Sequence, residues 1–432
     1  MPFSDFKDIF IGALFKNQRL LVLRHLQTGN QLHFILLKTE MGIGWTVAHR
    51  ASILQGSVIQ GDGDAKTCAD AVVIDGPAAF RRLMFRKSSA ESVARMFTKQ
   101  LLSRFKDKSL SGKIISVIFD KASRMPPQRA LVAASRARAN PPRANGDKID
   151  PERLSPGHLQ VVYDWEDILS DSGSKKAAWE LLGRAVFATL VSYDDCTVEV
   201  VTSGANYTRD LKKLLPRRIP TTHGEADLLV ASRASELAAV GRQVEIVTVD
   251  YDQILQALLA PTCQSMVSYI RFKAEFIDVK ELVALYGGEC RSSRLSAAFF
   301  MLCAFRSDYS KSLCRPTKSK VCRFVEAMNS GVLVMAEKTD SGSGARTLIF
   351  KPRVFLQTVA CWPSGVNHDD ATAILEGIMW TLAYFAGYDA FRLGWGGPDS
   401  VKVSKTTNYT EWMKKDEIVI LKETYHYKSV TT

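Results

Sequence analysis

The sequence predicts an α/β fold with a mostly parallel central sheet, and three observations lead there. Short apolar runs rich in β-branched residues each end on an acid: Ala-Val-Val-Ile-Asp75, Ile-Ser-Val-Ile-Phe-Asp120 and Val-Glu-Ile-Val-Thr-Val-Asp250. Near-continuous apolar strands belong to sheets covered on both faces, because a parallel sheet carries its crossover helices above and below. Segments with apolar residues at helical spacing separate these runs, and strands alternating with helices imply an α/β core.

In chain order, residues 1–40 precede the first strand as an N-terminal extension. Amphipathic apolar residues with Lys7, Lys16, Arg19 and Arg24 give it some character of a mitochondrial presequence, but Asp5 and Asp8 count against that. The strand ending at Asp75 comes next, and residues 83–105 follow with a helical period. After Asp120 lies the most irregular stretch, 121–148, rich in Arg, Ala and Pro with Asp147 as its only acid. Such composition makes an exposed basic loop, and its place directly after a strand-terminal aspartate suits a role facing the substrate. A helix is expected over 225–240, after a Thr-Thr-His-Gly turn, and then the strand ending at Asp250. Residues 279–286 read as a helix with Asp278 as its N-cap, the apolar helix 297–305 leads to Asp308, and 375–384 is a last apolar helical run. The C-terminal extension, 331–432, is therefore expected to be helical.

Composition narrows the class. The 432 residues are 46% hydrophobic and 24% charged, which excludes a disordered tail or a fibrous protein. The longest apolar runs fall well short of the ~20 residues that cross a bilayer, so no membrane partner is expected. Lys and Arg number 57 against 45 Asp and Glu, a formal charge of +12, which favours a polyanionic partner such as nucleic acid. The eight cysteines, at 68, 196, 263, 290, 303, 314, 322 and 361, form no C-x-x-C pair. That pattern fits a reducing intracellular compartment without a zinc site.

The acids carry the chemistry. Ligands of an open parallel sheet bind at the carboxyl ends of its strands, so Asp75, Asp120 and Asp250 would converge there. Asp252 extends the group, Glu225 and Asp227 open the helix before the third strand, and Asp308 follows the 297–305 helix. Taken singly, each has an ordinary structural reading as a helix cap, a dipole partner or an exposed side chain. Taken together, seven carboxylates would repel and take up protons unless a cation sits among them. An all-oxygen donor set selects hard ions, Mg²⁺ or Mn²⁺. Two such ions roughly 4 Å apart can activate water and stabilise the leaving oxygen of a phosphodiester.

The ordered series Val-Ile-Asp75-Gly, Val-Ile-Phe-Asp120 with a following Pro-Pro-Gln and arginines, Gly-Glu225-Ala-Asp227, Thr-Val-Asp250-Tyr-Asp252 and Arg-Ser-Asp308-Tyr resembles the flap endonuclease and XPG family of structure-specific nucleases. The resemblance spans residues 41–330, and Met41-Gly42-Ile43-Gly44 is similar to the start of that family's chains. It implies a PIN-like three-layer core with a helical arch. It also implies two ions per site: Asp75, Asp120, Glu225 and Asp227 on the first, and Asp250, Asp252 and Asp308 on the second. The arch and insertion would occupy 121–190 and offer Arg129 and Arg136, seven residues apart and so on one helix face, to the scissile phosphate. The rival assignment uses Arg124 or Arg138 instead.

The departures bear on the partner. Where the family carries a glycine-rich helix-hairpin, residues 308–330 hold Cys-Arg315-Pro-Thr-Lys318-Ser-Lys320, with side-chain charge in place of backbone amides. No sliding-clamp-binding motif is present. The resemblance implies a metal-dependent endo- or exonuclease acting on flap or 5′-ended DNA in replication, repair or recombination, in the nucleus or wherever the DNA is replicated. Two alternatives stand beside it: a relative that cleaves messenger RNA, and a nucleic-acid-binding scaffold that has lost catalysis.

Overall fold

Five parallel strands form the central sheet of the structure, a computed structural model. It describes residues 27–28, 31–32, 58–59, 69–81, 83, 87–105, 107–120, 148–150, 153–193, 195–210, 213–215, 226–248, 250, 252–259, 268–272, 275–304, 307, 309–313, 326–328, 330–342, 344–359, 368–388 and 414–423. The chain divides into two compact units, 60–280 with 383–401, and 1–59 with 281–382 and 402–432.

In the first unit, β1 (Ala71–Asp75) leads into the short helix α1 (Gly76–Arg81) and then α2 (Ala90–Arg104). β2 (Ile114–Ile118) follows, then the helices α3 (Trp165–Ser170) and α4 (Ser172–Leu190), and then β3 (Thr197–Val201) and β4 (Asn206–Arg209). Helix α5 (Ala226–Ala239), β5 (Val244–Thr248), α6 (Asp252–Leu259), β6 (Ser268–Phe272) and β7 (Glu275–Asp278) complete the unit. The strands lie in the order β7-β6-β5-β1-β2-β3-β4. The inner five, β6 to β3, are parallel, and β7 and β4 pair antiparallel with the outermost two of these. The α/β class and the mostly parallel sheet are thus as the sequence predicts.

Alternation divides each strand between the two faces of the sheet. Val72, Ile74, Ile115, Val117, Val198, Val200 and Val247 pack with Val93, Phe97 and Leu101 of α2 and with Trp179, Leu182 and Val186 of α4 in one apolar core. The opposite set includes Asp75, Ser116, Glu199 and Thr248, and here α5 packs. Its Arg233, almost wholly buried, donates through Nε to Glu199 at 2.8 Å and through Nη1 to Glu236 at 2.7 Å, while Ser116 donates to Glu199 at 2.9 Å. A buried ion pair of this kind stabilises little against an apolar alternative, but it fixes how the helix sits on the sheet.

Local caps shift the boundaries from those that periodicity alone suggests. The helix expected from 83 begins at Ala90 because Ser89 turns out of the short strand Ser88–Ser89 and its hydroxyl accepts from Ser92 N at 3.2 Å, an N-cap. No helix among the described residues is long and apolar enough to cross a membrane.

The second unit contains α7 (Arg291–Ala304), β8 (Met335–Thr339), β9 (Arg346–Phe350), α8 (Pro352–Val359), most of α9 (His368–Phe385), and β10 (Ile418–Glu423). Phe299, Phe350 and Phe355 meet at ring centroid distances of 5.2 to 5.8 Å and anchor its core. The Ser296 hydroxyl accepts from Met335 N at 3.0 Å, pinning α7 to β8. The region after residue 330 is therefore not helical throughout, since β8 and β9 before its helices and β10 after them form an antiparallel sheet. β8 and β9 are half-buried strands in which only some side chains face inward, so their apolar signal is diluted.

Candidate functional site

The order of the five parallel strands decides where a ligand can bind. The chain starts in the middle at β1, steps outward through β2 to β3, and returns to the other side of β1 as β5 and then β6. The direction of winding reverses between β1 and β5. Crossovers leave such a point in opposite directions, on opposite faces, and so open a crevice at the carboxyl ends of the strands.

Three aspartates stand at that edge. Asp75 is the last residue of β1, Asp120 follows β2 by two residues, and Asp250 follows β5 by two residues. Asp75 is 3% exposed. Its Oδ1 accepts from Ala78 N at 3.2 Å, capping α1, and its Oδ2 accepts from the Thr248 hydroxyl at 3.3 Å. The same hydroxyl accepts from Asp250 N at 3.0 Å, and Asp250 Oδ1 accepts from Asp252 N at 3.1 Å to start α6. Asp120 Oδ1 accepts from Ala226 N at 3.0 Å, so it caps α5 from 106 residues away and sets Asp227 in that helix's first turn. Asp227 and Asp252 are both buried.

Close approach of the strand ends is built into the backbone. A Cβ on Gly76 would lie 2.7 Å from the ring of Phe119, the residue before Asp120, so only glycine lets the end of β1 sit this near the end of β2. Phe119 is held from its other side by Phe80 and Trp179, with ring centroids 5.6 Å away in both cases.

Burial pushes the Asp75 carboxyl up to about 7, and the charges of Asp120 and Asp250 push it in the same direction. The Ala78 amide and Arg81 act against this without cancelling it. A carboxyl in this state holds a proton or faces a cation. Among the described residues, no three His, Cys, Asp or Glu side chains close into a metal-ligand group. The donor chemistry nevertheless fits a hard divalent ion, because Asp75, Asp120, Asp227, Asp250 and Asp252 all offer oxygen.

No protein-family model matches the chain, and no curated protein does.

Of the residues singled out from sequence, Asp75, Asp120, Asp227, Asp250 and Asp252 lie in one compact unit and are joined through Thr248 and the α5 N-terminus. Glu225, Asp308, Arg124, Arg129, Arg136, Arg138, Arg315, Lys318 and Lys320 lie outside the described residues. Each described aspartate that caps a helix fulfils the ordinary structural role too, so capping and clustering are not alternatives here. Sequence reasoning passed over Thr248, whose β-branched side chain reads as plain strand, and also Gln253 and Gln256. These two are the polar positions after Asp252 in the otherwise apolar Asp252–Leu259 helix, a signal that was legible.

Proposed function

We propose that the protein is a divalent-metal-dependent nuclease that hydrolyses phosphodiesters of flap or 5′-ended DNA, similar to the flap endonuclease and XPG family. One observation carries this reading: Asp75 lies at the point where the winding of the sheet reverses, with its carboxyl driven upward first by burial and then by the charges of Asp120 and Asp250. The charge of +12 supports a polyanionic substrate.

In this reading Asp75, Asp120, Asp227 and Glu225 hold one Mg²⁺ or Mn²⁺ ion, and Asp250, Asp252 and Asp308 hold a second. Bound there, the ions would lower the pKa of attacking water and neutralise charge on the phosphate. The chain's own residues supply the geometry. Thr248 orients Asp75 and the Asp250 backbone with one hydroxyl, and Asp120 fixes the start of α5 and thereby the place of Asp227. Arg129 and Arg136 would grip the scissile phosphate, a task for which the planar guanidinium suits paired hydrogen bonds. Water adds to phosphorus, the bond to the 3′ oxygen breaks, and the products carry a 5′-phosphate and a 3′-hydroxyl.

The test uses purified full-length protein with a 5′-flap DNA and a matched single-stranded RNA, in Mg²⁺ and in EDTA. Cleavage of the flap that requires Mg²⁺ and is lost in Asp75→Asn supports the reading. Cleavage of the RNA alone would move the substrate to RNA, and metal-independent cleavage or none would overturn the assignment.

A further inference from the structure

We propose that Gln253 and Gln256 are positioning residues that set the spacing between the acid carried by α5 and those carried at the start of α6. The inference rests on the metal-binding reading of the carboxylates and deepens it.

Gln253 Nε2 donates to the main-chain oxygen of Asp227 at 2.6 Å and also to Oε1 of Gln256. Asp227 lies in the first turn of α5 and Asp252 opens α6, so the bond ties together the N-terminal turns of two helices that each carry a buried acid. A backbone carbonyl has two lone pairs, so Asp227 can serve its own helix and receive this bond as well. The orientation of the amide is fixed by its neighbours: turned over, Gln253 would place its oxygen against two other oxygens. Gln256 thus braces Gln253, and Gln253 ties the first turn of α5 to the first turn of α6.

The pair is an expensive way to fill space. Both side chains are fully buried, at 0% and 1% exposure. Gln253 Oε1 and Gln256 Nε2 have no hydrogen-bond partner among the described residues. A buried polar atom without a partner is destabilising, and two apolar side chains of the same length would avoid that cost. What apolar side chains could not do is reach the Asp227 carbonyl and hold two acids at one distance. Groups that orient metal ligands from behind typically change metal affinity by about 10- to 100-fold when replaced.

The experiment compares full-length wild type, Gln253→Met and Gln256→Met. Mn²⁺ affinity is measured by titration calorimetry, and thermal unfolding is measured in EDTA. The expected result is an unfolding temperature in EDTA equal to or above that of wild type, with Mn²⁺ affinity reduced about tenfold or more in Gln253→Met and less in Gln256→Met. Should Gln253→Met fail to fold, Gln256→Met still decides the matter, because it keeps the bond to Asp227 and removes only its brace. Unchanged Mn²⁺ affinity in variants that fold, whatever their stability, makes the pair simple core filling and overturns the proposal. A wild type that takes up no Mn²⁺ overturns the metal reading and this inference with it.

Discussion

The hydroxyl of Thr248 donates to Oδ2 of Asp75 at 3.3 Å and so joins the carboxyl ends of β5 and β1, the two parallel strands between which the winding of the sheet reverses. It also accepts from the amide of Asp250 at 3.0 Å, so one oxygen organises both acids. Thr248→Val keeps the branched shape but leaves a buried carboxyl oxygen and an amide short of a partner. We expect a loss of about 1–3 kcal/mol, read from urea denaturation with an unchanged slope. A loss near zero would show that the bond does not help to organise the site.

Asp75 makes the metal-free protein sensitive to pH in a defined direction. Its carboxyl is raised from 3.8 to about 7 in the folded state, so the folded chain keeps a proton that the unfolded chain has released. The stability due to this group is full below about pH 4, falls as pH rises towards 7, and is level above that, a total on the order of 4 kcal/mol. Urea denaturation in EDTA at pH 5, 6, 7 and 8 should show the decline in wild type. Asp75→Asn should flatten it and be the more stable protein at pH 8. A wild-type stability that rises through this window would place the carboxyl in a different environment.

Gly76 sets how near β1 comes to β2. Gly76→Ala puts a methyl group 2.7 Å from the Phe119 ring, which is wedged between Phe80 and Trp179 and has little room to yield. Overpacking of this kind costs about 1–3 kcal/mol. Because the strain falls between Asp75 and Asp120, the variant should also gain less stability than wild type from saturating Mn²⁺ in thermal unfolding. An equal gain would uncouple the contact from the acids.

The arginines expected to face the substrate separate binding from chemistry. Arg129→Ala or Arg136→Ala should lower kcat by about 100-fold or more while KM changes little, because a charge aimed at the transition state acts on the chemical step. Equal effects on both constants would make them ordinary backbone contacts.

What the sequence disclosed of this arrangement follows from how locally each feature is encoded. The strands ending near Asp75, Asp120 and Asp250 are legible because strands covered on both faces need unbroken apolar runs. β3 was passed over because its run ends on no acid, and its buried Glu199 is held by Arg233 and Ser116, both distant in the chain. The strand order comes from pairing between distant segments, so the reversal between β1 and β5 is beyond local reading. Asp120 as cap of α5 is beyond local reading, since its partner lies 106 residues on. The strand-end positions of Asp75, Asp120 and Asp250 were legible as a pattern, as were Gln253 and Gln256 as polar positions in an apolar helix, whereas Thr248 gains meaning only once β1 and β5 are brought together.

The most direct test is anomalous diffraction from crystals of the wild-type protein soaked in MnCl₂. The account predicts Mn²⁺ bound at the carboxyl ends of β1 and β5, coordinated by Asp75 and by at least one of Asp120 and Asp250. An empty crevice at saturating Mn²⁺, or manganese bound only away from Asp75, would contradict it.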